Sequence, residues 1–175
     1  MSRIRPVSAL SKLYVYLMRS TPLMLQLAIV YYLPGFLNPG HMLSRMTAAC
    51  LAFVLNYAAY FSEIFRGGIQ GVPLGQREAG QVLGMTKSQI FFKVTLLQVI
   101  KRIVPPMSNE IITLVKDTSL ARIISIMELT KVGESYIKAQ GITWPLFYTG
   151  VFYLAFVGLL TLLFRYIERR LSYFR

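Results

Sequence analysis

Residues 139–164 run for 26 positions without one charged side chain. About 20 apolar residues in a helix are enough to cross the roughly 30 Å hydrocarbon core of a bilayer. No water is present there to bond backbone N–H and C=O groups, so a spanning segment must satisfy them within itself, as helix or closed barrel. A run of this length, stopped by Arg165, Arg169 and Arg170, points to an all-α membrane protein.

Two further runs support that reading. Residues 20–37 are uncharged for 18 positions, near the lower limit for a span, and residues 46–62 are uncharged between Arg45 and Glu63. The hydrophobic share of 55% and mean hydropathy of +0.53 exceed the about 45–50% apolar content of soluble domains. A net charge of +12 could suit nucleic acid, so its placement decides. Residues 3–19, 66–102 and 165–175 hold four, six and four of the 19 Lys and Arg, alternating with the apolar runs. That alternation is the signature of cytoplasmic loops, not of a nucleic-acid surface.

One cysteine and one histidine exclude a disulfide framework and a zinc site. Cys50, inside an apolar run, reads as a small buried hydrophobe. The amino terminus has basic residues but no apolar core ending in a small-residue cleavage site, so no signal peptide is expected.

In chain order, residues 1–19 form a basic amphipathic segment suited to the headgroup layer. The first span follows, then an uncharged turn at Pro34, Gly35, Pro39 and Gly40. The second span closes at Glu63 and Arg66, with Gly67-Gly68 ending its helix. Residues 71–87 are a polar, glycine-punctuated island. Pro73 suits a helix start, Gly84 a helix end, and Thr86-Lys87-Ser88-Gln89 a capping box that opens a new helix. That helix climbs back through Lys93, Lys101 and Arg102 to Pro105-Pro106, where a break or kink is expected. Residues 118–144 form an irregular far-side stretch, with a short helix near 120–129. The last span is 139–164. Four spans result, with both termini and the island cytoplasmic. The aromatic residues near span ends, such as Tyr31, Tyr57 and Tyr148, read as interface anchors.

Glu110 and Asp117 are seven apart, so on a helix both project from one face, with Thr113 between them. Ionisable groups at membrane depth usually face a bundle interior or an aqueous path. Two readings stand. The carboxylates line a translocation cavity and pair with an amino or guanidinium group, or Lys116 and Arg122 neutralise them as structural ion pairs. No catalytic residues are evident: the chain has no nucleophile elbow, no carboxylate–His cluster and no phosphate-cradling Gly-x-x-x-x-Gly-Lys-Ser/Thr loop. It cannot hydrolyse ATP, so active transport would need another subunit or an ion gradient.

Glu78-Ala79-Gly80 followed by Gly84, with Leu96-Leu97 beyond, resembles the Glu-Ala-Ala loop of ABC importer permeases. In that pattern Val94 stands for an Ile, Gly80 for the second Ala and Leu97 for a Pro. Gly80 should cost its helix up to about 1 kcal/mol against Ala. Arg19-Ser20-Thr21-Pro22-Leu23 with Gln26-Leu27 is similar to the Arg-Gly-Thr-Pro-Leu segment of the polar amino acid permeases. Asn109-Glu110, Lys116-Asp117-Thr118-Ser119-Leu120 and Glu128-Leu129-Thr130 match the same subfamily, in order.

The resemblance implies a type I importer permease forming a single transmembrane domain over residues 1–175, with a coupling loop over about 67–95. Family members usually carry five spans, and the first would lie ahead of this chain's start, leaving four. Glu78, Ala79, Gly80 and Gly84 would dock a cytoplasmic ATPase dimer. A second permease subunit, an extracytoplasmic solute-binding protein and membrane lipid complete the expected partners. Asn109, Glu110, Thr113 and Asp117 would contact a polar amino acid substrate. No cofactor or metal is expected in the chain itself, with ATP and Mg held by the ATPase. An ion-gradient carrier and a non-transporting scaffold or membrane enzyme are the alternatives.

Overall fold

The computed structural model describes residues 5–171, which are almost entirely helical. The outermost basic residues, Arg3 and Arg175, and with them the expectations for the two termini, lie outside the described residues. The helices are α1 (Arg5–Ser20), α2 (Leu23–Leu37), α3 (Arg45–Gln70), α4 (Leu74–Val82), α5 (Lys87–Ile90), α6 (Leu96–Asp117), α7 (Leu129–Gln140) and α8 (Trp144–Leu171). A π-helical turn, Phe91–Thr95, joins α5 to α6, and a 3-10 segment, Thr118–Ile124, follows α6.

The residues fall into two compact units. One takes in the chain up to Tyr60 together with Leu114–Phe156. Its core is Leu27 of α2 against Ala48, Ala49 and Ala52 of α3, closed by Ile124. Small residues on one helix let the neighbouring backbone approach closely, and membrane helices rely on such packing because burial from lipid yields no hydrophobic gain. The second unit takes in Phe61–Thr113 and Val157–Arg175. There Val72, Val99 and Ile103 are buried, with Ile64 and Met107 packed on them.

The polar island folds as its punctuation indicates. Pro73 immediately precedes α4. Gly84 sits at φ +71. Its N–H donates to the Gln81 carbonyl at 2.9 Å, and Met85 N–H to the Gly80 carbonyl at 3.0 Å. This Schellman pair satisfies the carbonyls that a helix end leaves open. The capping box is also present: Thr86 N–H donates to Gln89 Oε1 at 2.9 Å, and Gln89 N–H to Thr86 Oγ1 at 3.3 Å.

Among the described residues, two of the four expected spans, α3 and α8, are individually long and apolar enough to cross a bilayer by length and composition. α1 and α2 make a third only if taken as one span bent by 108°. α2 alone has 15 residues, a length of about 22 Å. The climbing helix α6 does not qualify, because Lys101, Arg102, Glu110, Lys116 and Asp117 all lie on it. Gly67-Gly68 does not end α3, which continues to Gln70. A Cβ on Gly68 would stand 2.3 Å from Ile103 Cγ2, so the glycine serves close packing, not termination.

Pro34 differs from expectation: it lies inside α2, and the turn starts at Asn38. Pro105 and Pro106 lie inside α6, which runs through them without a break. The pair removes only two N–H donors, and Ile103 and Met107 pack against the second core on either side of it. Cys50 is exposed, not buried. A helix surrounded by lipid has no need to bury its apolar residues in protein.

The far-side stretch is more ordered than its composition indicates. No single helix covers 120–129, because Ser125 takes a left-handed φ of 62° and ends the 3-10 segment. Placing a non-glycine residue there costs about 1 kcal/mol. Ser125→Gly should therefore raise stability by roughly 0.5–1 kcal/mol, measurable as a higher unfolding midpoint in mixed detergent; an unchanged or lower midpoint would show that the strain is illusory. Beyond it, Glu128 caps α7 by accepting from Thr130 N–H at 2.8 Å and Lys131 N–H at 2.6 Å.

Candidate coupling surface and polar cluster

α4 is a nine-residue helix with one buried position, Gly80. A Cβ there would lie 2.8 Å from Ile90 Cγ1, so Gly80 is where α4 rests on α5. The family's Ala at this point would need Ile90 to move. This gives a packing reason for a departure that helix propensity alone counts as a cost. Gln98 Nε2 donates to Gln76 Oε1 at 3.2 Å, a second tie from α4 to α6.

With Gly80 turned inward, the rest of α4 is left exposed. Leu74, Glu78 and Val82, spaced by four, form one outward stripe. Leu74 and Val82 are 71% and 87% exposed, and Leu83 is 79% exposed. An apolar stripe around a carboxylate, on a short helix fixed at both ends, is suited to insertion into a groove on another protein. Of the four expected coupling residues, Glu78, Ala79 and Gly84 are exposed and Gly80 is the internal support. Beside them a cavity of about 560 Å³ is lined by Ile69, Val72, Leu74, Arg77, Lys87 and Phe91 among others.

The four expected substrate residues all lie on α6. Asn109, Glu110 and Thr113 belong to the second compact unit and Asp117 to the first. Thr113 Oγ1 donates to the Asn109 carbonyl at 3.0 Å, so its hydroxyl is engaged within the helix. Glu110 is half-buried. Asp117 accepts a hydrogen bond from the Tyr57 hydroxyl at 2.8 Å. Arg122 takes Glu134 as its carboxylate partner. The ion pair between Asp117 and Arg122 is therefore not formed, and Asp117 is held by a neutral phenol instead.

One cluster escaped the sequence reading. Gln26 and Asn56 are both buried in the first unit. Gln26 Nε2 donates to the Met18 carbonyl at 2.9 Å, to Thr21 Oγ1 at 2.8 Å and to the Thr21 carbonyl at 3.2 Å. Asn56 Nδ2 donates to Gln26 Oε1 at 3.0 Å and to the Met18 carbonyl at 3.2 Å. These bonds satisfy the carbonyls opened by the break between α1 and α2. The available signal was the amide pair itself, two uncharged polar side chains set in apolar runs.

Three relatives place this geometry. The cystine transport permease TcyB of Bacillus subtilis is 39% identical over 185 residues, covering 98% of this chain and 74% of the relative. The arginine transport permease ArtQ of the same organism is 35% identical, covering 98% and 78%. A solved amino acid ABC transporter with histidines superposes with a TM-score of 0.86 at 32% identity, covering 97% of this chain and 79% of that one. The model of the inner membrane component of binding-protein-dependent transport systems matches residues 1–173, and the chain, with its apolar helices and its C-capped α4 carrying Glu78-Ala79-Gly80, belongs to that family.

Proposed function

We infer that the chain is the permease subunit of an ATP-driven importer that moves a polar amino acid across the cytoplasmic membrane by alternating access. The observation that carries this is α4, a capped helix resting on Ile90 through Gly80 with Leu74, Glu78 and Val82 outward. A partner ATPase dimer, which holds the ATP and Mg, grips this surface. Closure of that dimer moves α4, and the capping box and π-helical turn after it pass the motion into α6. A second permease subunit and an extracytoplasmic solute-binding protein complete the assembly. The basic residues at both ends and around α4 favour a cytoplasmic side for these segments.

Cargo would be read on α6. Asn109, Glu110, Thr113 and Asp117 lie on it, and its carboxylates favour an amino acid with a cationic side chain. The named relatives carry amino acids of several kinds, cystine and arginine among them. In vesicles holding the full assembly, Glu110→Gln should raise the KM for a cationic amino acid about tenfold, equivalent to about 1.4 kcal/mol. Labelled uptake checks this. Unchanged uptake of every amino acid would remove Glu110 from the site.

A further inference from the structure

Helix α1 has no buried residue, although it is 16 residues long. At about 100° per residue its side chains sort sharply. Val7, Leu10, Leu13, Tyr14 and Leu17 fall in one stripe of roughly 120°. Leu10 is 67% exposed and Leu13 53%. Arg5, Lys12 and Arg19 fall within an arc of roughly 40° on the other side. Neither Arg5 nor Lys12 forms an ion pair among the described residues. The sequence offers no nearby partner either, since the first acidic residue in the chain is Glu63.

The attachment of α1 matters as much as its faces. α2 leaves α1 at 108°, so the two helices lie nearly perpendicular. The amide cluster of Gln26 and Asn56 fills the break. The Tyr14 hydroxyl donates to the Leu55 carbonyl of α3, and the Arg19 guanidinium sits 5.3 Å from the centre of the Tyr60 ring. α1 is thus pinned to the middle of α3, with leucines exposed on one side and cations on the other. A helix in the plane of a membrane surface has this arrangement, with leucines at the acyl boundary and cations among the headgroups.

We propose that α1 is a lipid-binding element that takes the anionic phospholipid headgroups of one leaflet and makes the seating of this subunit depend on membrane charge. Only the choice of the cytoplasmic leaflet rests on the orientation proposed above. Charge complementarity favours lipid over a protein groove, because an uninterrupted positive arc with no carboxylate for 62 residues matches a continuous anionic surface.

The test follows amide hydrogen exchange of residues 5–20 in the intact assembly, in phosphatidylcholine vesicles with and without phosphatidylglycerol. Exchange should slow about tenfold when the anionic lipid is present, and the slowing should vanish near 1 M salt, where the screening length is about 3 Å. In phosphatidylglycerol, Arg5→Gln with Lys12→Gln should return exchange to the phosphatidylcholine rate, and Leu13→Gln should speed it in both lipids. Equal exchange in the two lipids, or strong protection of residues 5–20 in detergent through contact with a subunit, overturns the proposal. Because exchange is read without transport, this outcome is independent of whether the chain proves to be a permease.

Discussion

Replacing Gly84 by Val should lower ATP-driven uptake by an order of magnitude or more while leaving the chain inserted in the membrane. Gly84 occupies φ +71, a region that a β-branched residue scarcely enters. Forcing Val there costs about 1–2 kcal/mol, and escaping it breaks the two bonds from Gly84 and Met85 to the Gln81 and Gly80 carbonyls, each worth about 1 kcal/mol. Whichever of the two is cheaper, at most about 2 kcal/mol, lowers the population of correctly terminated α4 by up to roughly thirtyfold. The capping box of Thr86 and Gln89 starts two residues later, so a misdirected chain at 84 also misplaces α5. Gly84→Asn is the matched control, because Asn tolerates the left-handed region. It should keep most of the activity. Co-purification with the ATPase and uptake in vesicles report both variants. If the Val variant retains its ATPase and transports normally, α4 is not the coupling element.

The helices at 71–90 were legible because their signals are local. Proline at a start, glycine at an end and a Thr-x-x-Gln box each act within one turn of the chain. Gly67-Gly68 misled for the opposite reason. Gly68 lies against Ile103, distant in sequence, and α3 continues past it to Gln70. The exposure of Cys50 was illegible for another reason again: an apolar run gives no indication of which side meets lipid and which meets protein.

The span count shows the limits of hydropathy. The run at 139–164 was unambiguous, whereas residues 20–37 form only a 15-residue α2, broken sharply from α1. Periodicity assigned Glu110 and Asp117 to one helix but could not select their partners. That Tyr57 bonds Asp117, and that Glu134 takes Arg122, depends on which helices lie side by side. The same holds for Gln26 and Asn56, 30 positions apart in the chain.

That amide pair makes the second large effect. Gln26→Leu keeps approximate side-chain volume but removes two N–H donors, shared among the Met18 carbonyl and the Thr21 carbonyl and hydroxyl, and one accepted bond. Side-chain hydrogen bonds within membrane proteins average about 0.6 kcal/mol each, so the single substitution should cost about 2 kcal/mol. Some of that cost is the half-buried Thr21 carbonyl left without this partner, an orphaned group being worth roughly 1–3 kcal/mol in isolation, whereas the Asn56 amide keeps its bond to the Met18 carbonyl. Asn56→Leu should cost somewhat less, because it leaves only Gln26 Oε1 without a partner while the Met18 carbonyl still accepts from Gln26. Replacing both residues by Leu removes the polar groups together, so the double variant should be less destabilised than the sum by about 1 kcal/mol. Reversible unfolding in mixed detergent micelles measures all four corners of the cycle. Faster amide exchange at the break between α1 and α2 should accompany Gln26→Leu, because the carbonyls of Met18 and Thr21 are what the amide holds. Strict additivity, or unchanged exchange at the break, would show that the two amides are independent and that packing alone sets the angle between α1 and α2.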